Sequence, residues 1–336
     1  MEGMERILTG CIVGAGFMGS THLDCYLKNP KVRIAGIVDS NFEKASKLAE
    51  KAGCRVFDSL DEMAKACSSV DFVDVCLPSI LHRQYAVQAM EQGSHVIVEK
   101  PIATTLDDAD AMIEASHRCD RRLMVAHVCR FMPQFAKAKE LVGNGAIGRP
   151  ISMEIHRLSD APMWSWNNWL QNNSQSGGTL LDLSVHDLDF SNWLFGSPVS
   201  FKSYISGIGE KPGSSSTCAV LTYDSGVVST VFSSHLMPKG YPLFSSFIIS
   251  GTSGCIEWNT GNTPGALRLV QDGEVCVSFD AKELDPVAYS NAYQRELDDF
   301  IDCLINGKPF KVNAVDARLA LETVSNLYGN ATYLQV

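Results

Sequence analysis

The chain has no run of about eighteen apolar residues, so no membrane-spanning helix is expected. Its opening, MEGMERILTGCIVGAG, lacks signal-peptide architecture, and the apolar part reads as a strand. No C-x-x-C occurs among eleven cysteines, an odd number, which argues against a disulfide framework and a zinc ribbon. Cys11 and Cys76 read as small core residues, and a reducing cytoplasm is the expected compartment. No clustered basic stripe occurs and the net charge is −10, so nucleic acid is not an expected partner. Internal repeats, low-complexity tracts and long flexible linkers are also missing. What remains is 336 residues, 45% hydrophobic and 20% charged, enough for two globular domains.

The first third alternates strand and helix. The run Cys11–Val13 leads into Gly14-x-Gly16-x-x-Gly19 and a helix. A second apolar run, Ile34–Val38, ends in Asp39, twenty residues past Gly19. That context turns a weak motif into a dinucleotide-binding one. Gly14 permits the tight turn, Gly16 admits a pyrophosphate and Gly19 lets the helix pack on the strand. Asp39 can accept from both ribose hydroxyls and would repel a 2′-phosphate, so NAD is expected over NADP. Helices are predicted over Asn41–Ala52, Ser59–Ala66, Leu81–Gln92 and Thr105–Cys119, and strands over 71–78, 95–101 and 122–128. This is a doubly wound parallel Rossmann sheet whose ligand lies at the strands' carboxyl ends. Pro78-Ser79 and Glu99-Lys100-Pro101 occupy two such ends. The cofactor contacts expected are Gly14, Gly16, Phe17, Met18, Gly19, Asp39, Ser40, Leu77, Pro78, Ser79, His82, Glu99 and Lys100.

After about residue 130 the pattern changes. A helix over Phe135–Val142 and a strand over 151–158 precede a loop. From Val199 to Asp280 the alternation is mostly period two, which predicts a large, mainly antiparallel sheet. Helices follow at 288–306 and 314–328. The division is residues 1–129, an NAD-binding Rossmann domain, and residues 130–336, an α+β domain for substrate binding and oligomerisation. Between them in character stands SGGTLLDLSVHDLDFSNWLFG (176–196). As a helix, it puts Asp182, His186, Asp189 and Trp193 within an arc of about 60° at about 100° per residue. Leucines, Val185 and Phe190 flank that stripe. Ser184, Asp187 and Ser191 hold the opposite face, which is expected to meet water. Buried carboxylates are costly unless paired or functional. A structural Asp–His pair, a catalytic pair and a metal site are all open at this point.

A Rossmann half ending in EKP and a second half with GG-x-L-x-D-x-x-x-H-D resemble the Gfo/Idh/MocA oxidoreductase family. The resemblance spans essentially the whole chain. It rests on Gly14, Gly16 and Gly19, on PSILH (78–82), GSHVIVEKP (93–101) and IGRP (147–150), and on SGGTLLDLSVHDLD. It implies a catalytic set of Lys100, Asp182 and His186, and a homodimer or homotetramer formed through the C-terminal sheet. It also implies that the polar stripe faces an apolar-walled cleft between the domains, with Asp189 and Trp193 structural. A metal is not expected, because only His156 stands near in sequence as a further ligand. One departure is AHVCRF (126–131), where inositol dehydrogenases often carry G-F-x-R-R-[FY]. Arg130 is kept and Cys129 replaces the preceding arginine. Arg157 and Tyr241 align approximately with substrate-side positions, although a strand-end salt bridge and a packed tyrosine explain them equally well.

The activity the resemblance implies is oxidation of a secondary hydroxyl of a cyclitol or sugar, as in inositol 2-dehydrogenases or sugar 3-dehydrogenases. Hydride passes to nicotinamide C4. His186 is the expected base, Lys100 stabilises the alkoxide, and Asp182 orients His186 or holds the hydroxyl. The loop Ala161–Gly178 holds Trp164, Trp166 and Trp169 with Asn167, Asn168, Asn172, Asn173 and Gln175. Aromatic faces and amides suit a neutral polyhydroxylated ring, and Trp166 is the expected substrate contact, although an oligomer contact would use the same composition. Two alternatives stand: a redox-neutral NAD-dependent glycoside-cleaving enzyme, and an NAD(P)-responsive transcriptional regulator. Retention of all three catalytic residues argues against the regulator.

Overall fold

The computed structural model describes residues 6–335 except 68, 164, 208–214, 262–265, 286, 288 and 289. It resolves into two compact units, one of residues up to Val128 with Tyr293–Arg318, the other Cys129–Ala292 with Leu319 onward. A single boundary at residue 129 leaves out the return of 293–318 to the first unit.

In the first unit, strands β1 (Leu8–Val13), β2 (Val32–Val38), β3 (Arg55–Phe57), β4 (Phe72–Val75), β5 (His95–Glu99) and β6 (Leu123–Ala126) make one sheet in the order β3-β2-β1-β4-β5-β6. Every pairing is parallel. β4 and β6 are buried at every position, as strands covered on both faces must be. Helices α1 (Phe17–Tyr26), α2 (Phe42–Ala52), α3 (Leu60–Ala66), α4 (His82–Glu91) and α5 (Leu106–Arg118) connect the strands. Asn41, Ser59 and Thr105 cap α2, α3 and α5 by accepting from the backbone N–H three residues on. The strand order reverses between β1 and β4, which is where an open α/β sheet receives its ligand.

In the second unit, α6 (Pro133–Gly143), β7 (Pro150–Leu158), the short α7 (Asn173–Ser176) and α8 (Val185–Phe195) lead into β8 (Pro198–Gly207), β9 (Ser215–Tyr223), β10 (Val228–Ser234), β11 (Phe244–Gly251), β12 (Cys255–Asn259), β13 (Ala266–Gln271) and β14 (Glu274–Asp280). The short α9 (Ala281–Leu284), then α10 (Ala292–Asn306), α11 (Ala314–Gly329) and β15 (Ala331–Gln335) complete the chain. The nine-stranded sheet runs β14-β13-β12-β11-β7-β10-β9-β8-β15. It is mainly antiparallel, as expected, with two parallel pairs: β10 pairs β7 and β15 pairs β8 in parallel. Its inner face carries Ile155, Ala219, Leu221, Val231, Phe247 and Ile249, all buried. Phe135 of α6 and Phe190 of α8 close on Phe247 and Trp258 with ring centroids 4.7–5.6 Å apart.

The returning helix α10 is fixed to the first unit by specific contacts. Phe300 packs edge-on against Phe72 of β4 at 5.5 Å, Asn29 donates to Asp298 at 2.7 Å, and Lys31 meets Asp302 at 2.9 Å. It also buries Glu296 completely. Burial, reinforced by the Glu99 charge, pushes the Glu296 carboxyl well above the usual carboxylate range. The folded chain therefore holds a proton that the unfolded chain releases above about pH 4.3. Stability from this group is complete below that pH and is lost as pH rises toward the folded pKa. Glu296→Gln is expected to raise the melting temperature, with a gain that grows between about pH 5 and about pH 8. A gain that is constant across that interval would show that Glu296 is ionised throughout.

Candidate functional site

The first unit supplies a dinucleotide cradle. Gly14 turns at φ 105°, and a Cβ there would stand 2.4 Å from the Cys76 carbonyl oxygen. A Cβ on Gly19 would stand 1.9 Å from the Gly14 carbonyl oxygen, so helix and turn touch through these two glycines. Gly16 is the opposite case: a Cβ there meets nothing within 4 Å, and Gly16 and Phe17 are exposed. Unlike α2, α3 and α5, α1 begins with no side-chain cap. Open space over Gly16, at the start of a helix without a side-chain cap, fits a diphosphate. Asp39 is fixed across the turn: Oδ2 accepts from Ala15 N–H at 2.6 Å and Oδ1 from Asn41 N–H at 2.7 Å. Met18 is half-buried and Ser40 exposed beside these groups. The residues present therefore fit NAD.

Two expected cofactor contacts are placed differently. His82 is fully buried, with Nδ1 2.9 Å from the Pro101 carbonyl and Nε2 2.8 Å from the Leu77 carbonyl. Burial pushes its pKa down against the pull of both carbonyls. It braces the turns that follow β4 and β5, and Leu77, Pro78 and Lys100 remain half-buried there while Ser79 is buried. Glu99 is also turned inward. Its Oε2 accepts from the Lys100 N–H at 3.1 Å, and its Oε1 lies 3.2 Å from His22 Nε2. His22 Nδ1 in turn stands 2.8 Å from Asp74 Oδ2, with the Cys76 thiol 3.4 Å away. His22, Asp74 and Cys76 offer ligand atoms within 4.8 Å of one another. The 2.8 Å approach is a hydrogen bond, whereas tetrahedral ligands about 2.1 Å from a metal lie roughly 3.4 Å apart.

The second unit supplies the Asp–His pair. Two left-handed glycines, Gly177 (φ 72°) and Gly178 (φ 69°), introduce a π-helical turn over Leu180–Ser184, which continues as α8. From Gly178 to Asn192 every residue is buried except Asp182 and His186. π turns interrupt the regular stripe and often mark functional sites. Asp182 Oδ2 lies 3.8 Å from Nε2 of His235, a buried residue just past β10. Thr179, Ser215 and His235 are joined through the Ser215 backbone, which fixes the start of the π turn against the ends of β9 and β10. His235 was not singled out from sequence; its place at a strand's carboxyl end was the available signal.

The face expected to meet water is instead buried. Ser184 bonds Thr217 at 3.2 Å, Ser191 bonds Tyr223 at 2.7 Å and Ser229 at 2.9 Å. Asp187 is gripped at both oxygens by Arg157, at 2.6 and 2.9 Å. Hydroxyls and a guanidinium of the sheet satisfy these side chains, so polarity here does not imply solvent. Asp189 is structural as expected: Arg130 holds it at 2.7 and 2.9 Å. Arg157 is 5% exposed and Arg130 3%, so the substrate-side placement of Arg157 gives way to a buried ion pair. Burial opposes the Arg157 charge, but Asp187 and the Cys129 thiol raise its pKa. Burial likewise pushes the Cys129 thiol up to about 11.

The loops are partly accounted for. Trp164 lies outside the described residues, as does the side chain of Trp166. Asn172 caps α7 by accepting from Ser174 N–H, while Asn167 and Asn168 are exposed in left-handed conformations. Tyr241 is half-buried, in a loop tied to β7's end by Gly240 N–H donating to Asp160 at 2.8 Å.

A parallel sheet with this cradle, and a second unit in which only an Asp and a His are accessible between Gly178 and Asn192, define a dinucleotide-binding oxidoreductase. The chain belongs to the Gfo/Idh/MocA family: residues 9–127 match "Oxidoreductase family, NAD-binding Rossmann fold" and residues 135–257 match its C-terminal domain. It is 26% identical to scyllo-inositol 2-dehydrogenase (NAD(+)) of Bacillus subtilis (strain 168), over 99% of this chain and 97% of that protein. It is 26% identical to myo-inositol 2-dehydrogenase of Thermotoga maritima, over 92% of each. Its fold matches levoglucosan dehydrogenase in complex with NADH and levoglucosan, with a TM-score of 0.86 at 23% identity over 97% of both chains.

Proposed function

We propose that the protein oxidises a secondary hydroxyl of a neutral cyclitol or sugar ring with NAD. The observation that carries this reading is the isolation of Asp182 and His186 as the accessible positions of an otherwise buried segment. NAD, when bound, supplies the hydride acceptor. Gly14, Gly16 and Gly19 hold its diphosphate and Asp39 its ribose. An imidazole nitrogen of His186 takes the hydroxyl proton, Lys100 donates to the developing alkoxide, and Asp182 orients the base or the hydroxyl. Engagement of Arg130 and Arg157 by buried aspartates supports a neutral substrate, since neither guanidinium is left to hold a phosphate or carboxylate. A panel of free and phosphorylated polyols, sugars and glycosides, followed by nicotinamide absorbance with product analysis, tests the reading. Net NADH formation from a neutral ring supports it. Cleavage without net NADH identifies the redox-neutral enzyme, and strong preference for a phosphorylated ring overturns the substrate class.

NAD is expected to bind about tenfold to a hundredfold more tightly than NADP, because Asp39 repels a 2′-phosphate. Fluorescence titration with both oxidised cofactors checks this, and tighter binding of the phosphorylated form sinks it. The same reading has the protein act as a homodimer or homotetramer through the second sheet. Register places Tyr204, Cys218, Phe232 and His156 in one row on the outer face. Tyr204, Val228, Phe232 and Ile248 are exposed on that face, between 37% and 44%. An apolar sheet face of this kind is expected to be covered. Phe232→Glu is expected to shift the mass measured by light scattering to that of a monomer; an unchanged mass removes this face as the interface.

A further inference from the structure

We propose that Asp74, His22 and Glu99 form a buried ion-paired relay that positions Lys100, with His22 protonated on both ring nitrogens. Parallel pairing sets Asp74 opposite Ile97, so Asp74, Cys76 and Glu99 project from the same face of the sheet. His22 on α1 lies between them, 2.8 Å from Asp74 and 3.2 Å from Glu99. A carboxylate on each side matches an imidazolium, which offers a proton at both nitrogens and accepts at neither. The Glu99 carboxylate thereby accepts at one oxygen from the N–H of Lys100 itself and lies within ion-pair distance of His22 at the other, a charge contact without hydrogen-bond geometry. The backbone that launches the Lys100 side chain is anchored to the relay with no intervening residue.

Every titratable group facing His22 is consistent with that charge. Asp74 and Cys76 face it from β4 and Glu99 from β5, while Tyr293, with ring centroids 6.0 Å away, and Glu296 belong to α10. Tyr26 lies on the same helix, its phenol raised by burial and by the Asp74 charge. Burial disfavours the imidazolium, but the charge and hydrogen bond of Asp74 outweigh it and the pKa stands well above the usual histidine range. Burial holds the thiol of Cys76 protonated, and Glu296 is pushed toward its neutral form. A buried ion cluster is a poor route to stability, since apolar residues of like volume serve as well or better. Its value here lies in where it fixes Glu99.

The test needs no substrate. Competitive acetylation with mass spectrometry gives the pH profile of the Lys100 amine in the full chain. His22→Gln removes a positive charge and is expected to slow acetylation of the Lys100 amine at about pH 8 by about tenfold; Glu99→Gln is expected to speed it by about as much. In parallel, nitrogen NMR of the wild-type protein at about pH 8 is expected to show both His22 nitrogens protonated, and Asp74→Asn to convert the ring to its neutral form. A Lys100 profile unmoved by His22→Gln, or a neutral wild-type ring, overturns the relay. Should His22→Gln fail to fold, the wild-type ring signal decides alone. The turnover arm rests on the dehydrogenase reading: kcat is expected to fall about tenfold to a hundredfold in His22→Gln with NAD affinity retained. Failure to find any substrate would strike that reading and leave the relay standing or falling by the Lys100 and NMR results.

Discussion

His186→Ala and Lys100→Ala are each expected to lower turnover by about two to four orders of magnitude, with NAD affinity and fold largely intact. The reason is separable for the two residues. Loss of His186 removes the acceptor of the hydroxyl proton. Loss of Lys100 removes the donor that meets the alkoxide. Neither side chain belongs to the packed interior: both are half-buried at the ends of well-formed elements, Lys100 just past β5 and His186 in the first turn of α8. Initial rates, cofactor titration and circular dichroism on each variant check the prediction. Wild-type turnover in either one rejects its assigned role.

Arg157→Met is expected to destabilise the protein by about 3–5 kcal/mol, because it strands the Asp187 carboxylate in the interior. Asp187 is completely buried and Arg157 nearly so, and both oxygens of the acid depend on that one guanidinium. The double variant Arg157→Met, Asp187→Leu is expected to recover most of the loss, since the charge and its partner leave together. Urea unfolding of the wild type, the single variant and the double variant measures the recovery. A substrate-binding arginine would behave differently: its loss would raise KM and leave the unfolding midpoint in place.

That contrast also shows where sequence reading stopped. The glycine turn, Asp39 and the alternating strands were legible because each depends on residues close together in the chain. The second sheet was legible as a sheet, but period-two alternation is blind to strand direction, so the parallel pairs β7–β10 and β8–β15 could not be foreseen. The helical wheel sent Ser184, Asp187 and Ser191 to water because it knows polarity and not partners. Thr217, Tyr223, Ser229 and Arg157, which satisfy them, lie 30 or more residues away along the chain. His22 went unremarked although it stands three residues past Gly19, since a lone histidine in an apolar helix gives no sign of two carboxylates arriving from other strands. The helix expected at 288–306 was legible as a helix, but nothing in its sequence names the sheet it covers.

The placement of that helix bears on how the chain is made. The first unit is complete only with Tyr293–Arg318, and the whole second sheet up to β14 is encoded before it. At about 5–20 residues per second, a ribosome needs roughly ten to thirty seconds to cross the intervening stretch. During that interval the nascent Rossmann segment has all six of its strands but lacks the Phe300 ring that covers Phe72 and the Glu296 side chain that faces His22. The first unit begun is thus closed late, and the emerging chain carries an uncovered apolar and ionisable face for most of its synthesis.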